Sequence, residues 1–142
     1  MEVQIAHTEK DFLKCWDVIH ALRPHLTKEG YLELLKKMTQ SGYNLIFIED
    51  GEKAMAALGF RYMTMFYAGT IIYIDDLTTL PESRGKGYAS VLLDYIIEKA
   101  KNEGLNGVHL DSGHQRFDAH RLYLNKGFRI TCHHFQLDLP KR

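Results

Sequence analysis

A glycine-containing turn between a strand-like segment and a helix-like segment is the feature that most limits the possible folds of this chain. Residues 84–89 read Arg-Gly-Lys-Gly-Tyr-Ala, after the strand-like run 71–80 and before the helix-like run 90–101. Gly85 and Gly87 let the backbone turn tightly and leave no side chain in front of it. Successive N–H groups and the positive end of the following helix can then face an anion. The segment therefore predicts a strand, a diphosphate-binding loop and a helix.

The spacing of these glycines excludes two familiar phosphate-binding loops. A nucleoside-triphosphate loop has Gly, four intervening residues, Gly, Lys and then Ser or Thr, and a dinucleotide-binding loop has G-x-G-x-x-G with an acidic residue about twenty positions later. Neither spacing occurs in this sequence. The pattern present is R-x-x-G-x-A, formed by Arg84, Gly87 and Ala89. Because a glycine turn can also serve only to make the bend, the rest of the chain has to identify the ligand.

The composition indicates one compact domain, 1–142, in the cytoplasm. The chain has 142 residues, 45% of them hydrophobic, and its 18 basic and 18 acidic residues cancel. No block of five or more Lys/Arg residues occurs, so we expect no nucleic-acid partner. No apolar run approaches the ~20 residues that a membrane span needs, and the start lacks the basic-then-apolar layout of a secretion signal. We therefore expect no membrane partner.

Hydrophobic periodicity and turn residues predict a mixed sheet with helices on both faces. Thr8 and Thr27 are expected N-caps, Asp50-Gly51 an expected hairpin turn and Gly59 an expected bulge. The predicted strands are 3–6, 43–49, 54–64, 71–79, 107–111 and one or two within 128–139, and the predicted helices begin near residues 8, 27, 86 and 117.

A helical crossover between strands 71–79 and 107–111 predicts that these two strands are parallel neighbours. Ligands of open sheets bind at the carboxyl ends of such strands, which places Asp76, the glycine loop and Asp111 around one crevice. Asp75 and Asp76 are adjacent in an otherwise apolar strand, so strict alternation predicts that they point to opposite faces.

Several histidines fall in the second half of the chain, but they do not predict a metal site. Their spacings match no ligand pattern, and zinc needs three or four convergent ligands. The histidines concerned are His109, His114, His120, His133 and His134. We interpret His120 as lining the same helix face as Tyr123, one turn later.

Two separated motifs resemble a known family. The first combines Leu77-Thr78-Thr79 with the R-x-x-G-x-A pattern, and the second lies about thirty residues later, with Ala119, Leu122-Tyr123 and Gly127-Phe128. Over residues 71–128 they resemble the GNAT acetyltransferase superfamily. The resemblance implies an α/β (α+β) fold with a mixed, mostly antiparallel sheet, helices on both faces and a splayed central pair of parallel strands.

The resemblance implies acetyl-CoA as the acyl donor and no metal. In the family the pantetheine arm bonds to the backbone of the first splayed strand, and the diphosphate binds the amides of the glycine loop. The cofactor-binding residues implied here are Leu77, Thr78, Thr79, Arg84, Gly85, Lys86, Gly87, Tyr88, Ala89, Ser90 and Arg116. Arg116 stands where many relatives carry an asparagine that contacts the cofactor arm, so it could reach a phosphate or an acidic substrate, or be solvated.

The implied reaction is acetyl transfer from a thioester to an amine. Tyr123 matches the family tyrosine that protonates the leaving thiolate, and a phenol with a usual pKa near ~10 suits a thiol with one near ~8.5. A backbone N–H near Leu77 would hold the oxyanion. Asp111 and Asp76 are the candidate general bases, with Asp75 behind them, and none is singled out by the sequence.

The acceptor and the oligomeric state stay open at this stage. In the family the acceptor is held by the link between the first two helices, here 23–28, and by the last strands, here 133–135. A small-molecule or peptide amine is expected, and a homodimer through the last strands would suit the family. The alternatives are an acyl-CoA-binding sensor with weak catalysis, and an enzyme using another acyl donor or a charged transfer RNA.

Overall fold

A computed structural model describes residues 1–141 of the chain. In chain order the elements are β1 (Gln4–Ile5), α1 (Glu9–Lys14), α2 (Trp16–Leu22), α3 (Lys28–Gln40), β2 (Asn44–Asp50), β3 (Lys53–Met65), β4 (Gly69–Thr79), a 3₁₀ turn (Pro81–Ser83), α4 (Tyr88–Asn102), β5 (Gly107–Leu110) and α5 (Phe117–Asn125). The residues group into two compact units, Met1–Leu110 and a second that begins at Asp111.

The strands of the described residues form one sheet in the order β1-β2-β3-β4-β5. Neighbouring strands are antiparallel except β4 and β5, which are parallel and joined through α4. The parallel pairing runs from Ile71 opposite Gly107 to Ile74 opposite Leu110, whereas β4 continues to Thr79. The predicted mixed, mostly antiparallel sheet with a parallel pair is therefore confirmed, and β4 extends beyond that pair as a splayed strand does.

Alternate residues of β2 show which helices cover which face of the sheet. Leu45 and Phe47 belong to a buried cluster that includes Val18 and Ile19 of α2 and residues of α3. Their neighbours in β2 point to the opposite face, where α4 packs on the strands. The helix α4 buries Leu92, Leu93, Ile96 and Ala100. Helices on both faces were predicted, and this is confirmed.

Side-chain caps start the helices α1 and α3 where the sequence predicts them. The amide of Asp11 donates to Thr8 Oγ1 at 3.2 Å, and the Asp11 carboxylate accepts from the Thr8 amide at 3.3 Å, which is a capping box. The amide of Gly30 donates to Thr27 Oγ1 at 3.1 Å. These two caps satisfy amides that would otherwise lack partners in the first turn.

A β-bulge between β3 and β4 brings two acidic side chains onto one face. Gly59 pairs with Asp76 and Phe60 pairs with Ile74, so Asp75 is the extra residue on β4. The bulge predicted at Gly59 is confirmed. The expectation that Asp75 and Asp76 point to opposite faces is wrong, because the extra residue breaks the alternation.

The close approach of Tyr43 explains why the position opposite the bulge is glycine. A Cβ at Gly59 would lie 1.6 Å from the Tyr43 hydroxyl oxygen, a separation that no side chain tolerates. Tyr43 is only 4% exposed and lies in the α2 and α3 cluster. Gly59 therefore allows Tyr43 to lie flat against the sheet and to reach Asp76.

The C-terminal segment departs from the prediction. Residues 128–141 contain no helix or strand, so the strand or strands predicted within 128–139 are not formed. The apolar side chains Phe135, Leu137 and Leu139 in this segment are 91%, 85% and 79% exposed. A period of two describes side-chain direction only, and a strand also needs a ladder partner.

Within residues 1–141, no helix has the length and apolar character needed to cross a membrane.

Candidate active site

The glycine loop forms an open turn at the start of α4. Gly85 and Gly87 have φ angles of +80° and +89°, in the left-handed region that favours glycine. A Cβ added at either position would meet nothing within 4 Å, so the space in front of the loop is open. The prediction of a tight glycine turn before this helix is confirmed.

The first turn of α4 has the properties of an anion-binding helix start. Gly87 is the N-cap residue and supplies no side-chain cap, and the first turn carries no acidic residue. The helices α1, α2, α3 and α5 each carry an acidic residue there. The helix bond from the Val91 amide to the Gly87 carbonyl is 3.1 Å long, which leaves the preceding amides of the turn for another acceptor. The nearby side chains of Arg84 and Lys86 are exposed and add positive charge.

The end of β4 offers backbone rather than side chains to a ligand. Leu77, Thr78 and Thr79 pair with β3 on one edge, and the ladder with β5 has already ended at Ile74. The Thr78 hydroxyl donates to the Val18 carbonyl at 3.1 Å, so that side chain faces α2. Among the described strands, the second edge of 77–79 has no ladder partner, which is the arrangement that an extended ligand arm can join.

Asp76 is held by two protein donors. One Arg23 nitrogen lies 3.1 Å from Asp76 Oδ1, and the Tyr43 hydroxyl donates to Asp76 Oδ2 at 2.8 Å. Burial, followed by the Asp76 charge, raises the pKa of Tyr43 well above its usual value, so this phenol stays a donor. Each oxygen of Asp76 therefore accepts a hydrogen bond from the protein.

A second carboxylate lies in the same network. Arg61 Nε donates to Asp75 Oδ2 at 2.9 Å, and its hydrogen bond to Asp75 raises the pKa of Arg61. The Arg61 guanidinium lies 5.8 Å from the centre of the Tyr43 ring, a distance suited to a cation–π contact.

Sequence reasoning missed Tyr43, and the glycine at position 59 was the available signal, because it marks a place where another group approaches the backbone closely.

Asp76 is one of the residues that line a cavity of about 320 Å³. Its polar side chains are Arg23, His25, Tyr31, Tyr43 and Asp76, and its other walls are aliphatic side chains of α2, α3, β2 and the link between α2 and α3. The volume is at the lower end of the range of about 300–1,000 Å³ found for small-molecule sites. Part of the link predicted to hold an acceptor, 23–28, therefore lines a cavity of suitable size.

The remaining predicted site residues belong to the unit that begins at Asp111. Tyr123 lies on α5 with its ring 5.9 Å from that of Phe128, and burial raises the pKa of Tyr123 while the charge of Arg116 opposes the shift. Arg116 is the N-cap residue of α5 and provides no side-chain cap. Asp111 Oδ2 lies 3.1 Å from His134 Nδ1. His120 Nε2 lies 2.8 Å from the Gly113 carbonyl.

Comparisons with known proteins agree with this geometry. The family model for the Acetyltransferase (GNAT) family matches residues 7–128. The chain belongs to this family. It is therefore an acetyltransferase, and the resemblance seen in the sequence is confirmed. Among residues 1–141, this acetyltransferase has no group of three or more His, Cys, Asp or Glu side chains placed to hold a metal ion.

One individual protein and two solved structures are similar to this GNAT acetyltransferase over nearly the whole chain. An uncharacterized N-acetyltransferase, YhdJ, of Bacillus subtilis is 34% identical over 131 residues, which cover 91% of this chain and 92% of that protein. The crystal structure of a transcriptional regulator from Bacillus halodurans has a TM-score of 0.82 at 23% identity, over 97% of this chain and all of that one. A predicted acetyltransferase from Clostridium acetobutylicum, crystallised with acetyl-CoA, has a TM-score of 0.74 at 20% identity, over 96% of this chain and 95% of that one.

Proposed function

We propose that this acetyltransferase moves an acetyl group from acetyl-CoA to a primary amine of a small molecule or peptide, by direct attack of the amine on the thioester. The observation that carries the proposal is the open, uncapped glycine turn at the start of α4. Its backbone amides suit a diphosphate, and acetyl-CoA combines a diphosphate with the reactive thioester that an acetyl transfer needs. Gly85 through Ser90 would hold the diphosphate, with Arg84 and Lys86 adding charge.

The end of β4 suits the other parts of the donor. The free backbone edge of Leu77, Thr78 and Thr79 would bond the pantetheine arm as an added strand. A backbone N–H near Leu77 would donate to the thioester oxygen as negative charge develops on it. In this arrangement the reacting carbonyl comes to lie near Asp76, which lines the cavity.

The transfer requires two proton movements. A lysine-type amine has a usual pKa near ~10.4, so it must lose a proton before its lone pair can attack. The C–N bond then forms, the C–S bond breaks, and the leaving thiolate takes the proton of the Tyr123 hydroxyl. Because burial raises the Tyr123 pKa, the phenol carries that proton throughout the neutral range. The amine proton passes to a carboxylate or to a water chain that leads to one.

Asp76 and Asp111 are the two proposed bases, and a pH profile separates them. We expect Asp111→Asn to remove the acidic limb of kcat/KM and to lower its plateau by about 10²–10⁴-fold, as the loss of a general base does. We expect Asp76→Asn to keep the acidic limb and to raise the KM of the amine, because both Asp76 oxygens already accept bonds from Arg23 and Tyr43. Loss of the acidic limb in Asp76→Asn alone would identify Asp76 as the base instead of Asp111. Retention of the acidic limb in both variants would favour a water chain.

The proposed function is tested by acetyl-CoA-dependent thiol release over a panel of amines, polyamines, amino acids, aminoglycosides and amino-terminal peptides. Acetyl-CoA binding is followed in the same samples by thermal shift. We expect binding of acetyl-CoA without any amine, and turnover with one class of amine. Binding without turnover on any acceptor would point instead to a sensor of acyl-CoA, and absence of binding would overturn the proposal.

A further inference from the structure

The cavity beside Asp76 has a largely aliphatic lining and one cluster of bonded polar groups. Its aliphatic wall consists of Ile19, Leu26, Leu34, Leu35, Met38 and Leu45. These residues come from α2, α3, β2 and the link between the two helices. The carboxylate of Asp76, with Arg23 and Tyr43, forms this polar cluster, beside which the acyl donor is proposed to react. His25 and Tyr31 also line the cavity, and the Tyr31 hydroxyl already donates to the Phe12 carbonyl at 2.7 Å.

The charges around the cavity are already paired within the protein. Arg23 is neutralised by Asp76 at 3.1 Å, and outside the cavity wall Arg61 is neutralised by Asp75. Arg23, Asp76 and His25 are the ionisable groups of the lining apart from two tyrosines. The aliphatic side chains of the lining offer no counter-charge for a second ionic group of a ligand. An unpaired charge packed against them would lose part of its hydration without compensation.

We propose that the acceptor is a monoamine with an apolar body, an alkylamine or aralkylamine whose amine lies near Asp76 and whose hydrocarbon lies against α3. This inference rests on the proposed function and narrows its acceptor class. Polyamines and aminoglycosides are excluded by their additional cations. An amino acid whose carboxylate would pack against the aliphatic wall is excluded for the same reason, because those side chains offer no donor to an anion.

Matched small molecules test the inference directly. Heptylamine and 1,6-diaminohexane have the same number of heavy atoms and differ only in whether the far end is a methyl or an ammonium group. With acetyl-CoA saturating, we expect kcat/KM for heptylamine to exceed that for 1,6-diaminohexane and for 6-aminohexanoate by at least about tenfold. From butylamine to heptylamine we expect a rise of about three- to fourfold per methylene, the gain expected from burying each one. Equal values for the diamine would overturn the inference.

A charge placed in the aliphatic wall should reverse the preference. Leu34 lies on α3, lines the cavity and is 45% exposed, so Leu34→Glu should fold while adding a carboxylate there. We expect this variant to lose about tenfold with heptylamine and to gain with 1,6-diaminohexane. Leu13 on α1 is 41% exposed and does not line the cavity, so Leu13→Glu is the matched control and should keep the preference of the unchanged protein.

A binding measurement separates this inference from the proposed function. Dissociation constants for heptylamine and 1,6-diaminohexane are measured by ligand-observed NMR on the complex with CoA, which has no acetyl group to transfer. Tighter binding of heptylamine that Leu34→Glu removes supports the inference even if no thiol is released. Thiol release with polyamines or aminoglycosides, together with no preference between the matched pair, overturns the inference and leaves the proposed acetyl transfer intact.

Discussion

Replacing Gly87 with tryptophan should abolish acetyl-CoA binding, with an increase in Kd of at least about 100-fold, because the side chain would project into the space proposed for the diphosphate. Gly87 has φ +89°, which strains any other residue, and a Cβ there would meet nothing within 4 Å, so the start of a side chain would not clash with the protein. The loss should therefore come from exclusion of the donor and from strain in the turn. Isothermal titration with acetyl-CoA measures it.

Gly104 provides the control for the strain. It lies just beyond the other end of α4, has φ +69°, and would also place a Cβ in open space. Gly104→Trp should thus carry a similar left-handed backbone cost of about 1–2 kcal/mol and keep full acetyl-CoA affinity. Equal loss of affinity in both variants would mean that helix destabilisation explains the effect. Unchanged affinity in Gly87→Trp would remove the glycine loop from the donor site.

Replacing Tyr123 with phenylalanine should lower kcat by about 10²–10⁴-fold, the usual effect of removing a general acid. The KM for acetyl-CoA should change less than about twofold, because the proposed proton transfer occurs only as the thiolate leaves. The phenol must be protonated to act, and burial raises its pKa above the usual value. In the unchanged enzyme the rate should therefore show no alkaline limb from this residue below about pH 10.

Tyr67 is a suitable control for the loss of a phenol hydroxyl. It lies between β3 and β4 and is 79% exposed, so Tyr67→Phe should leave both kcat and KM unchanged. A Tyr123→Phe enzyme with full kcat would exclude Tyr123 as the acid. A drop that appears only in KM would instead assign Tyr123 to binding of the donor.

The sequence could predict the glycine loop and the parallel pair because both follow from local requirements. Positive φ angles at Gly85 and Gly87 need glycine, and a helix of the length of α4 between two strands favours a parallel crossover. The N-caps at Thr8 and Thr27 are equally local, since each depends on amides within three residues. The glycine loop and the parallel pair position the proposed donor site, so the local structure of that part could be predicted from the sequence.

The acceptor side of the site was harder to predict from the sequence, because it depends on contacts between distant residues. Tyr43 reaches Asp76 across 33 positions, and only the bulge at Asp75 turns both acidic side chains toward one face. No periodicity in β4 reveals an inserted residue before its partner strand is known. The strand prediction within 128–139 failed for the same reason, because its pattern indicated a strand but strand pairing is not a local property.

The two faces of the sheet carry different parts of the proposed site, and this has a consequence for engineering. The turn proposed to bind the diphosphate lies at the start of α4, whereas the residues that line the cavity lie mainly on α2, α3 and β2, on the other face. Libraries that vary Leu34 and Met38 therefore sample new acceptors while the donor machinery stays intact. Gly59 and Tyr43 should be held constant in such libraries, because every other residue at position 59 would displace the Tyr43 ring, which lines the cavity.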